Sequence, residues 1–178
     1  MNGRRLRRLA PMLLPALAAC EVDAPVATVS DPDRFLEADA IVMGGVTTIS
    51  NADGIRTARL QFDTAYQWND STHQALRGVN LIVFNDDGSE RATVTSLRGT
   101  FEPLAERLTA RGEVVLVVPF QDRRLETEEL HYDPELNQLW SDSAFVMNEE
   151  GGQRAGSSFR SDLEFRDFVV QGSAGTGP

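Results

Sequence analysis

A short unit recurs through this chain: a turn built from Asn, Asp or Gly, then a basic residue, then a strand whose apolar side chains alternate. It can be read in ADGIRTARLQFD, QDRRLETEELHYD and EGGQRAGSSFRSD, and DDGSERATVTSLRG contributes a further turn. The turns come at spacings of about 30 to 36 residues, as expected if two strands make one unit. Repeated strand pairs without crossover helices imply a meander, a barrel or a stacked jelly roll rather than a parallel sheet.

Individual stretches give the strands. In RLQFDTAY, residues 59–66, Leu60, Phe62 and Tyr66 fall on one face and Arg59, Gln61 and Asp63 on the other. Residues 79–84 and 114–118 are almost wholly apolar, which fits strands covered on both sides or opening onto a hydrophobic cavity. NADG at 51–54 and NDDG at 85–88 supply residues that tolerate positive φ. HYDPELNQLW, residues 131–140, reads as strand, turn, strand, with Asp133 and Pro134 opening the turn. FEPLAERLTARG reads as a long hairpin connection, with a short helix as the alternative.

The N-terminus has a different character. Arg4, Arg5, Arg7 and Arg8 precede an apolar run over residues 9–19, and Cys20, the single cysteine of the chain, follows at once. That order fits a secretory signal. A run of about 11 residues rises only about 16 Å as a helix, too short to span a bilayer, and Pro11 and Pro15 interrupt it. Leu17, Ala18, Ala19 and Cys20 resemble the bacterial lipobox. The resemblance implies cleavage before Cys20 and acylation of its sulfur; an ordinary signal with an incidental thiol is the alternative. Glu21 leans toward inner-membrane retention by similarity to known sorting rules.

The expected organisation is a lipoprotein signal over residues 1–19, a lipid-anchored flexible tether over 20–37, one β domain over 38–171, and a disordered tail over 172–178. Losing residues 1–19 removes the four arginines and takes the formal charge from −10 to −14. Such a surface repels phosphate backbones and argues against nucleic-acid binding.

From LTARGEVVL through RLETEELHYDPELNQLWSDSAFV to GSSFRSDLEF, the chain is similar to the LptC and OstA-type family of lipopolysaccharide-export proteins. The matching positions are Gly112, Leu125, Thr127, Leu130, Tyr132, Asp133, Ser141, Asp142, Gly156, Phe159 and Asp162. The resemblance implies an all-β fold, an open antiparallel β-jelly roll made from a folded-over sheet. It also implies a function. Such a protein accepts lipopolysaccharide from the permease subunits of an inner-membrane ABC transporter and passes it through an apolar groove to a periplasmic OstA-type or LptA-type bridge protein, paired strand edge to strand edge. The family's best-known members hold the membrane with one helix, whereas a lipobox stands here, so the membrane of residence stays open between inner and outer.

Phe62, Phe84, Val115, Val117, Leu130 and Phe145 are the candidate groove residues, and a dry core is the alternative for the same positions. No enzyme signature, metal-ligand spacing or cofactor motif is present. The carboxylates of ETEEL and NDDGSE lack EF-hand spacing and read as a solvated strand face and a turn. A second functional class therefore remains open: a membrane-anchored β-sandwich lipoprotein that binds another protein or an envelope polymer and carries no lipid.

Overall fold

The computed structural model describes residues 37–69, 71–172 and 174–175. The signal segment 1–19, Cys20, residues 21–36 of the tether, and residues 173 and 176–178 of the tail lie outside them. The strands are β1 (Ala40–Ser50), β2 (Arg56–Gln67), β3 (Gln74–Phe84), β4 (Glu90–Glu102), β5 (Arg107–Val118), β6 (Arg123–Asp133), β7 (Gln138–Ser141), β8 (Phe145–Glu149), β9 (Gly152–Gly156), β10 (Ser158–Asp162), β11 (Val169–Gln171) and β12 (Ala174–Gly175). All belong to one antiparallel sheet whose main path runs β1-β2-β3-β4-β5-β6-β7-β10-β11.

The sheet is folded over, and the fold line is written in the backbone. Gly44 in β1, Gly78 in β3 and Gly112 in β5 have φ of 65°, 63° and 77°, a left-handed conformation that costs glycine little. They stand 34 residues apart, so the repeat of the sequence is also the repeat of the crease. At Gly78 a Cβ would also meet the Asp63 carboxylate of β2, which would have to turn aside. Between these strands the ladder loses register, at Thr95–Arg98 in β4 and at Arg111–Val114 in β5. Such bulges bend strands and add twist.

The crease divides each of the first six strands between two wings. The first wing ends in the turns 51–55, 85–89 and 119–122, and the second in the β2–β3 connection and the turns 103–106 and 134–137. At β6 the sheet forks: residues 124–127 pair with β8 in the first wing, and residues 131–133 pair with β7 in the second. Thr127 sits at the fork, its hydroxyl 3.1 Å from that of Ser141 and 3.0 Å from the Ala144 carbonyl it donates to. Buried hydroxyls are thereby satisfied where the ladder cannot do it. One apolar core fills the space between the wings, and Phe145 of β8 meets Phe159 of β10 edge-to-face at 5.3 Å across the fork.

Three expectations need correction. FEPLAERLTARG is neither a long connection nor a helix: Phe101 and Glu102 close β4, 103–106 is a tight turn, and β5 starts at Arg107. Leu108 and Ala110 alternate there with Arg107, Thr109 and Arg111, and Glu106 takes the positive φ the turn requires. Tyr66 does not share the face of Leu60, because the crease shifts the alternation and Ala65 continues the inner face. Ala174 and Gly175, read as tail, pair with Ala155 and Arg154 of β9.

Candidate functional site

Registered strands place side chains in rows across the sheet, and the rows define an inside and an outside. In the first wing Leu60, Leu81, Val94, Leu116, Leu125 and Met147 are successive cross-strand partners, each no more than 1% exposed. The neighbouring row is Gln61, Asn80, Thr95, Val115, Glu126 and Val146, and it faces outward. In the second wing Ala65, Leu76, Gly99, Ala110 and Leu130 continue the inner face. The two inner faces thus form one continuous apolar surface folded upon itself.

Opposite the crease, the ends of both wings come together. A cleft of about 490 Å³ is lined there by Asn51, Val83 and Arg91 from the first wing and by Leu104, Tyr132 and Asn137 from the second. Val83, Tyr132 and Leu163 of the apolar core also line this seam. Burial, with Glu106 and Asp133 close by, holds the Tyr132 phenol above its usual range, so it stands at the seam as a neutral group.

Among the described residues, β1 pairs with β2 alone and forms one edge of the sheet. It is unusually apolar for an edge, with Ile41, Val42, Met43 and Val46 all exposed, Met43 at 79%. No helix among the described residues is long and apolar enough to cross a membrane.

The groove candidates separate into three groups. Leu130 and Phe145 belong to the core, and Phe62 packs against it, its ring lying where any side chain on Gly45 would stand. Val115 and Val117 are on the outer face, since Val114, Leu116 and Val118 take the inward phase of β5. Phe84 is buried but outside the core cluster, with the Arg56 guanidinium 3.9 Å above its ring. A basic side chain covering an aromatic ring explains why residues 79–84 read as a strand covered on both sides. The inward phase of β5 could have been found by running the alternation of Leu108 and Ala110 forward to Leu116.

The carboxylate clusters have local uses. Asp87 accepts hydrogen bonds from the Ser89 amide and hydroxyl within the β3–β4 turn, which lowers its pKa. Glu126 pairs with Arg124, and Glu129 with Arg111 and His131. Among the described residues no group of three or more His, Cys, Asp or Glu side chains is arranged to hold a metal.

A family model described as "Lipopolysaccharide-assembly, LptC-related" matches residues 26–176. No curated protein matches the chain.

Proposed function

The chain belongs to the LptC-related lipopolysaccharide-assembly family, a periplasmic-side component of lipopolysaccharide transport, and from that premise we propose that it acts as a carrier without chemistry of its own. It accepts lipopolysaccharide from an inner-membrane ABC transporter, shelters the acyl chains against the inner face of the folded sheet, and releases them to a periplasmic OstA-type bridge protein. The partner ATPase supplies direction.

The observation that carries this reading is the unbroken apolar inner face, closed at a seam rather than covered by a second layer. Sheltering acyl chains from water is worth about 0.8 kcal/mol per CH₂, so a carrier needs a long apolar surface more than a tight polar pocket. The inner rows supply that surface once the wings part along the seam. Leu60, Leu81, Leu116, Leu125, Leu130 and Phe145 are the side chains assigned to the lipid path. The exposed apolar edge β1 suits pairing with a strand of a neighbouring jelly roll. Acylation of Cys20 would tether the domain to the membrane, with the inner membrane favoured.

The tight packing of the interior favours one rival: a β-sandwich lipoprotein that binds another envelope protein or polymer and carries no lipid. Mass analysis of lipid co-purified with the full-length chain separates them. Stoichiometric lipopolysaccharide supports the carrier; a folded chain free of lipid in cells active in export supports the rival.

A further inference from the structure

The segment between β10 and β11 is a strap across the seam. It leaves the second wing at Asp162 and buries Leu163 and Phe165, while Phe168 packs against the core and stacks on Phe159 at 5.1 Å. Its polar attachments reach the other wing. Arg91 of β4 donates to the Leu163 carbonyl at 3.2 Å, and Gln121, in the β5–β6 turn, donates to the Phe165 carbonyl at 2.8 Å. Asp162 Oδ1 gathers the strap by accepting from the amides of Arg166 and Asp167 at 2.8 and 3.2 Å. Phe165 takes φ of 57°, a conformation an aromatic residue adopts only under constraint.

Beneath the strap lies an unusual cation. Arg123 opens β6 on the inward side, and its side chain is 14% exposed. Nη2 reaches Glu149 at 3.2 Å, while buried Nε and Nη1 have no hydrogen-bond partner among the described residues. The ring of Phe168 covers the guanidinium at 4.5 Å in place of an oxygen acceptor. Leaving charged donors unmatched in a dry site is costly, and the same donors match a phosphate well.

We infer that the strap 163–168 is a gate on the seam and that lifting it exposes Arg123 as the receiving group for a phosphate carried by the incoming amphiphile. Apolar chains then take the places of Leu163 and Phe165, and the oxyanion takes the place of the Phe168 ring over Arg123. The inference rests on the carrier reading.

The test uses full-length protein with diphosphorylated lipid A and with the same lipid stripped of phosphate. The wild type should bind the phosphorylated lipid about tenfold more tightly or better. Arg123→Gln should lose that preference while keeping its affinity for the stripped lipid. Glu149 is not orphaned by the change, because Arg154 also holds it at 2.9 Å. Hydrogen exchange on the wild type is independent of any variant: amides of 163–168 should lose protection when either lipid binds. A preference that survives Arg123→Gln, or lipid binding with the strap still protected, overturns the inference alone. Competition by inorganic phosphate would mark a free-anion site and overturn it too. If the wild type binds neither lipid, the carrier reading falls and this inference with it.

Discussion

Single residues set the shape of this protein at the crease. Gly78 combines positive φ with a neighbouring carboxylate that would have to move to admit a Cβ. Gly78→Ala should therefore cost about 1–3 kcal/mol by urea unfolding, and Asp63→Ala in the same chain should recover the steric part but not the backbone part. Tyr132 gives a pH signature. Burial and the nearby carboxylates raise its folded pKa, so its neutral form stabilises the fold fully below the ordinary tyrosine value of about 10. That contribution is lost as pH rises through the folded value. The alkaline decline in the urea midpoint above about pH 10 should be shallower in Tyr132→Phe than in the parent, and identical slopes would remove Tyr132 from the account. Neither residue stands out in the sequence by type. The collision at Gly78 depends on Asp63 of the neighbouring strand, and the tyrosine is set apart by its burial first and by the nearby acids second.

At the scale of elements, β5 shows what the sequence could and could not tell. EVVLVV declares a strand, but an apolar run does not say which of its side chains point inward. The answer lay upstream in RLTAR, where Arg107, Thr109 and Arg111 fix the outward phase. Reading that segment as a connection discarded the phase and made Val115 and Val117 inner residues. Leu116→Ala should cost about 2–5 kcal/mol and Val117→Ala about 1 kcal/mol or less, measured by thermal or urea unfolding. Phe84 was obscured for another reason: its cover, Arg56, comes from a different strand. The edge strand β1 makes a prediction of its own. Met43→Lys puts a charge on the exposed apolar edge, where the side chain is 79% exposed, and should weaken crosslinking to a periplasmic partner while leaving the thermal midpoint nearly unchanged. An undiminished crosslink would show that the partner docks elsewhere.

At the scale of the whole molecule, the all-β antiparallel architecture was legible because the repeated turns and the absence of long helical periods leave few alternatives. The crease was not read, although Gly44, Gly78 and Gly112 announce it at equal spacing, because a glycine within a strand signals a bend without saying which way the halves turn. The fork at β6 was equally hidden, since Thr127 and Ser141 acquire their joint role only once two branches share one strand. Together these features make a single sheet enclose its own apolar face, with a seam where both wings end. The central claim is that lipopolysaccharide passes along that face. The most direct test places a photoreactive amino acid in living cells at Leu116 and, in a second strain, at its neighbour Val117, one residue apart and on opposite faces of β5. The account predicts a lipopolysaccharide adduct from position 116 that disappears when cellular ATP is depleted, and none from position 117. Equal adducts from both positions, or none from 116 in a folded and exported protein, would contradict it.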